Sequence, residues 1–233
     1  MKIYAISDLH LSFSTDKPMD IFGEKWENYE QKIKDNCNDV INDDDILLIG
    51  GDLSWAMKEE DAIKDFEFMS SIKGKKIVVR GNHDYWWKAI SSVREMLEKH
   101  GIYALQNDSI KIDNVCVCGT RGWVVPERGK TLGEQDQKIY DRELIRLEMA
   151  LKDAQTKMEE GDRLICLIHF PPFNSSLDDN EFTMLLEKYG VNDVVYGHLH
   201  GKIKYSKTSL NKNGVNYYLS SCDKIDFNPI QIP

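Results

Sequence analysis

Residues 75–87 read KKIVVRGNHDYWW, a segment that starts as a strand and stops as something else. Ile77, Val78 and Val79 are β-branched and favour an extended, packed backbone. Gly81 interrupts the run, and Asn82, His83 and Asp84 follow, then Tyr85, Trp86 and Trp87. A strand with a purely structural task does not need an amide, an imidazole and a carboxylate together at its end. Each of these groups can bind a metal, carry a proton or hydrogen-bond.

The same punctuation recurs along the chain. KIYAIS ends in Asp8-Leu9-His10, DILLIGG in Asp52, RLICLI in His169, and DVVYG in His198-Leu199-His200. Two further apolar runs are SIKIDNVCVCG and VNYYLSS. Between the runs lie helical patterns. Trp26, Tyr29, Ile33, Cys37, Val40 and Ile41 recur at three- and four-residue steps, and Ile90, Val93 and Leu97 share one face of a helix that stops at Gly101. Alternating strands and helices make this an α/β chain. In such sheets, sites form in the crevice beyond the carboxyl ends of the strands. Five of the six histidines fall there; His100, at a helix end, reads as a solvated capping residue.

Composition limits the functions available. The 233 residues suffice for one large domain, with 41% hydrophobic and 30% charged residues, as in soluble globular proteins. A formal net charge of −9 disfavours nucleic acid or an anionic membrane as partner. No apolar run reaches bilayer-spanning length, and Met1-Lys2 leads into too short a run for a signal peptide. Cys37, Cys116, Cys118, Cys166 and Cys222 are odd in number and mostly sit in apolar runs, so they read as reduced core thiols of a cytoplasmic protein. Cys116 and Cys118 lack a second Cys or His pair at zinc-site spacing. The expected organisation is a single domain over 1–233 with a polar insertion at about 123–161, a Pro/Gly-containing loop and then a charged helix from about Glu134. That loop, carrying Pro126, Gly129 and Gly133, is expected to border the pocket and limit substrate size.

Taken singly, each polar fragment is most simply a turn, a cap or a hydrogen-bonded core residue. Together they are different. Two aspartates and four histidines buried in one crevice would leave desolvated carboxylates and competing imidazoles unless a cation compensates them. Oxygen and nitrogen ligands without thiolates suit Mn, Fe, Zn, Co or Ni.

In their order and separations, DLH, GD, GNHD, the lone His169 and GHLH resemble the calcineurin-like metallophosphoesterases, over positions 3 to 200. The resemblance implies a four-layer α/β/β/α sandwich of two mixed sheets flanked by helices. It implies that Asp8, His10, Asp52 and His200 hold one metal ion and Asp52, Asn82, His169 and His198 the second, with Asp52 bridging. Two cations about 3.5 to 4 Å apart can hold a hydroxide nucleophile between them and polarise the phosphoryl oxygens. His83 would then be a general acid rather than a ligand, with Asp84 orienting it. The expected reaction is hydrolysis of a small-molecule phosphodiester or phosphomonoester. A non-catalytic scaffold on the same fold and a compact nuclease are the alternatives.

Departures from better-known branches narrow the field. Trp55 stands where purple acid phosphatases carry a tyrosine, and neither the DLHL nor the GNHD segment matches the Ser/Thr protein phosphatases. Arg121, in GTRGW, grips a substrate phosphate or is a surface loop residue. Trp86, Trp87 and Trp123 stack on a substrate ring or pack in the core. Lys202, Lys204, Lys207 and Lys212 read as a solvated hairpin or a phosphate-binding rim.

Overall fold

The computed structural model describes residues 1–201 and 208–233; Lys202, Lys204 and Lys207 lie outside the described residues. In chain order the elements are β1 (Ile3–Ala5), α1 (Tyr29–Val40), β2 (Ile46–Ile49), α2 (Glu59–Ser70), β3 (Lys75–Val79), α3 (Ile90–Glu98), β4 (Ile102–Leu105), β5 (Asp108–Ile112), β6 (Val115–Thr120), α4 (Glu134–Lys157), β7 (Arg163–Ile168), α5 (Glu181–Lys188), β8 (Asp193–Tyr196), β9 (Ser209–Lys212), β10 (Val215–Leu219) and β11 (Ile230–Ile232). One sheet runs β11-β1-β2-β3-β4 and the other β5-β6-β7-β8-β10-β9. Both are parallel inside and antiparallel at their edges, through β11 in the first and β5 and β9 in the second.

The strands read as continuous apolar runs because both of their faces are covered. In β2, Ile46 and Leu48 point between the sheets, where they meet Ile77 and Val79 of β3 and Val117, Ile165, Leu167 and Val195 of the second sheet. Leu47 and Ile49 point outward to Ile33 and Cys37 of α1, Phe66 and Met69 of α2 and Val93 and Leu97 of α3. On the far side, Leu147, Ala150, Leu151 and Ala154 of α4 and Phe182 and Leu186 of α5 cover Cys116, Cys118, Cys166 and Val194. The result is the α/β/β/α sandwich, and the helical half of the 123–161 segment supplies one of its outer layers. All five cysteines are buried and free.

Several local expectations change. SIKIDNVCVCG folds as two antiparallel strands, β5 and β6, turning at Asp113-Asn114 with Asp113 at φ 52°. The periodic pattern that began at Trp26 enters α1 at Tyr29; Trp26 closes a short 3-10 turn before it and is buried. Trp86 and Trp87 precede α3 and are fully packed, and the Trp87 Nε1–H donates to Gln106 Oε1 at 2.8 Å, so neither stacks on a substrate. No helix among the described residues is long and apolar enough to cross a membrane.

Candidate metal centre

The carboxyl ends of β1, β2 and β3 in one sheet and β7 and β8 in the other converge on one crevice, bringing their terminal residues together. The turns that do this are strained. Asp8, His10, Asp52 and His198 have φ of 58°, 49°, 52° and 70°, left-handed conformations that residues with a Cβ rarely adopt. Backbone hydrogen bonds hold them there: Asp8 N–H donates to Gly51 O and His10 N–H to Asp52 O, both at 3.0 Å. Glycine is required where these turns touch. A Cβ on Gly81 would lie 2.0 Å from Asp52 Oδ1, and one on Gly197 2.4 Å from Asp8 Oδ2.

Two overlapping clusters result. Asp8, His10 and His200 form one and Asp8, Asp52 and His169 another, each with its ligand atoms within 4.8 Å of one another. His10 Nε2 is 3.4 Å from His200 Nε2 and 3.8 Å from Asp52 Oδ2, and His200 Nε2 is 3.8 Å from Asp8 Oδ1. On the other side of Asp52, Oδ2 is 3.6 Å from His169 Nε2. Asn82 Oδ1 completes that side, 2.7 Å from His169 Nε2 and 2.9 Å from His198 Nδ1. All seven expected ligands therefore face one space, with Asp52 between its two halves.

The tautomers support a cation there. His169 Nδ1–H donates to Gly50 O at 2.8 Å, and burial lowers the ring pKa to about 3, so Nε2 carries a bare lone pair facing the Asn82 oxygen. Two acceptors at 2.7 Å repel unless a cation joins them. His200 has the same arrangement: Nδ1–H donates to Asp223 Oδ1 at 2.8 Å, leaving Nε2 directed at Asp8 and His10. Asp223 is held in turn by Lys25 Nζ, 3.2 Å from its Oδ2. Asp223 was not among the expected site residues, although it follows VNYYLSS as the other site residues follow their strands.

Residues 1–202 match the family described as calcineurin-like phosphoesterase. The chain belongs to that family. Its fold is similar to that of the Aquifex aeolicus protein of unknown function AQ665, at 18% identity and a TM-score of 0.51 over 99% of this chain and 95% of that one. It is also similar to the protein TT1561 of Thermus thermophilus, at 14% identity and a TM-score of 0.56 over 99% and 97%. At such identities the likeness concerns fold alone. The search of curated proteins returned no match.

Within this calcineurin-like site, Asp84 has a different task from the one expected. Its Oδ2 accepts the N–H of Asp52 (2.9 Å) and Gly81 (2.8 Å), and its Oδ1 accepts those of Leu53 (2.9 Å) and Ser54 (3.2 Å) and the Trp86 indole (3.1 Å). The carboxylate is turned into the protein, clamping the β2 and β3 turns together, and does not orient the His83 ring. Asp84→Asn would set an NH₂ against backbone donors, at a cost of about 2–4 kcal/mol. In a chain of this length that corresponds to a fall in Tm of about 5–15 °C. We expect metal binding to weaken with it and all substrates to suffer alike, as calorimetry and elemental analysis would read. A stable, metal-replete Asp84→Asn enzyme impaired on poor leaving groups alone would restore the orienting role.

The remaining expected residues lie at different distances from the crevice. The His83 N–H donates to Asp52 Oδ1 at 2.7 Å, and its ring packs against Trp55 at 4.4 Å. Trp55 also stacks on His10 at 4.6 Å and 20°, so its indole holds the His10 ring from one face. Arg121 is mostly buried, pairs with Glu143 at 3.4 Å and lies 4.7 Å over the Trp123 ring. Trp123 in turn packs on Phe170, whose ring is 4.2 Å from that of His198. Beyond Trp123, Pro126 O accepts from Asn174 Nδ2 at 3.0 Å and Arg128 pairs with Asp178, so the 123–133 loop is tied to the chain that follows His169. Lys212 pairs with Asp179 at the far hairpin.

Proposed function

We propose that this chain is a dinuclear-metal phosphohydrolase cleaving small phosphomonoesters or phosphodiesters. Asp8, His10, Asp52 and His200 would hold one ion, and Asp52, Asn82, His169 and His198 the other. The observation that carries this reading is the pair of histidines, His169 and His200, whose Nδ1–H groups are committed to Gly50 O and Asp223 while both Nε2 atoms face the carboxylates. Such pinning orients imidazoles for coordination. The ions supply Lewis acidity toward the phosphoryl oxygens and toward the attacking water. The protein supplies position and protons: Asp84 fixes the two turns, Asp52 spans the two halves, and His83 donates to the departing oxygen.

Assaying p-nitrophenyl phosphate, its bis-ester and a phenylphosphonate ester with Mn, Fe, Zn, Co and Ni tests the proposal. Hydrolysis of at least one ester that depends on added metal is expected. No turnover of any ester with any of these metals by a protein that binds them would leave the scaffold alternative.

The electrostatics give a pH test. Without metal, burial is the largest influence on Asp8 and, with the Asp52 charge, outweighs His200 to lift its pKa to about 8; burial likewise lifts Asp52 to about 6. Burial disfavours a charged His200, but the Asp223 hydrogen bond and the Asp8 charge outweigh it and raise that ring. His169 and His198, lowered to about 3 mainly by burial, are already neutral at pH 6. Between pH 6 and 8 a cation must therefore displace the Asp8 proton, and that proton alone should raise affinity by up to about tenfold per pH unit, with any proton on His200 adding to the slope. The sign for stability is opposite in the metal-free protein. The folded state keeps the Asp8 proton that the unfolded chain has lost, so this carboxyl's contribution declines as pH rises from about 4 through about 8. Titration calorimetry in buffers of different ionisation heat should find at least about one proton released per chain at pH 7, the Asp8 proton together with whatever proton His200 holds. Affinity that is flat over this range, with no proton released, would show Asp8 ionised before metal arrives.

A further inference from the structure

Beside the Asn82–His169 half of the site, the strand ends open onto a cavity of about 330 Å³ that the ligand geometry does not use. Arg80, Lys88, Arg121, Arg142 and Arg146 line it, with Glu143 as the only carboxylate among its lining residues. Two of its lining residues adjoin the metal centre through the backbone. Arg80 lies two residues before Asn82 at the end of β3, and the Arg121 carbonyl accepts the N–H of His169 at 3.1 Å. Arg142, Glu143 and Arg146 come from α4.

The charges do not balance. Glu143 is fully buried and is shared between Arg146 at 2.6 Å and Arg121 at 3.4 Å. Arg80, Lys88 and Arg142 have no ion pair among the described residues. The Nε atoms of Arg80 and Arg121 are buried without a hydrogen-bond partner there. Burial, opposed by Glu143 and reinforced by the charges of Arg80, Arg146 and Arg142, pulls the Arg121 pKa below its ordinary value. A solvated basic face would point its guanidinium donors at water, whereas here two are withdrawn from it and left unsatisfied. The chain carries a net charge of −9, yet it gathers five cations against one carboxylate in this cavity. Guanidinium forks match the oxygens of a phosphate, and an anion seated between them would satisfy the free donors and relieve the repulsion.

We propose that this cavity is a second phosphate subsite, receiving a further phosphate group of a substrate whose scissile ester lies at the metal centre. The inference rests on the phosphohydrolase reading for its use, though not for its anion affinity. It deepens the substrate class from a simple phosphoester to one bearing two separate phosphate groups. Arg121 thereby acts together with Arg80 and α4, rather than as a single grip.

Two measurements test it on the full chain. Tripolyphosphate should bind the chelator-treated protein in titration calorimetry, weakening as salt is added, and binding should fall at least about tenfold in Lys88→Ala/Arg142→Ala. Both of those positions are exposed, so the double variant should fold even if Arg80→Ala does not. The second compares p-nitrophenyl thymidine 5′-phosphate with its 3′-phosphorylated analogue, which has the same leaving group, in the metal-loaded enzyme. The 3′-phosphate should raise kcat/KM about tenfold or more in the wild type, and that ratio should collapse toward one in the variants. Absent tripolyphosphate binding, or equal binding by wild type and double variant, overturns the subsite whatever the hydrolytic activity. Binding with a wild-type ratio near one overturns its role in substrate recognition and leaves a separate anion site. Binding without hydrolysis of any ester overturns the phosphohydrolase reading instead.

Discussion

Asp52→Ala should lose both metal ions. The Asp52 carboxylate lies 3.8 Å from His10 Nε2 on one side and 3.6 Å from His169 Nε2 on the other, and no other carboxylate among the described residues of the crevice faces an imidazole Nε2 of each half. Asp8 approaches His169 only at Nδ1, the nitrogen already bonded to Gly50. Removing Asp52 therefore strips a ligand from both halves, and also the acceptor of the His83 N–H. Elemental analysis of protein expressed in metal-supplemented medium should find close to two metals per chain in the wild type and close to none in Asp52→Ala. Because each cation contributes several kcal/mol of charge stabilisation, hydrolysis should fall by about 10⁴-fold or more. His169→Ala should retain the Asp8–His10–His200 ion. Asp8→Ala should mainly weaken that first ion, while freeing the turn whose His198 N–H both Asp8 oxygens accept. Wild-type protein holding much less than one metal per chain would count against the whole assignment. An Asp52→Ala variant that still holds two would remove the bridge.

What can be read in the sequence, and what cannot, follows the range of the interactions. Asp8, Asp52, Asn82, His169, His198 and His200 each follow a β-branched or apolar run, and a strand end is a local feature. Asp223 and Trp55 act through contacts made only when the chain closes, Asp223 on a ring 23 residues away and Trp55 on one across the β1–β2 turns. The role of Asp84 is hidden because adjacency to His83 suggests partnership, whereas the turn directs its carboxylate inward onto the backbone of Asp52, Leu53 and Ser54. The basic cavity has no linear signature at all, since its arginines come from the ends of β3 and β6 and from α4. The alternation of both-faces-buried strands with helices makes the α/β class plain. Edge strands such as β9 and β11 are only partly buried and lack the continuous apolar run that marks β1, β2 and β8, so they do not stand out.

His83→Ala should separate leaving groups. The ring is held by packing against Trp55 at 4.4 Å and contacts His10 edge-on at 5.6 Å, while its backbone N–H is anchored to Asp52. Its Nδ1 is buried without a partner among the described residues, so the imidazole is positioned yet uncommitted. A proton donor matters most when the departing oxygen is basic: an alkoxide cannot leave without a proton, whereas p-nitrophenolate, with a pKa of about 7, needs little help. We expect His83→Ala to keep its fold and its metals, to lose about a hundredfold or more on an alkyl phosphoester, and to lose clearly less on the p-nitrophenyl ester. An equal loss on both, with normal metal content, would make His83 an electrostatic stabiliser of the phosphoryl oxygens instead. Loss of metal along with activity would make it a ligand, and the division of the GNHD turn into one ligand, one acid and one clamp would have to be redrawn.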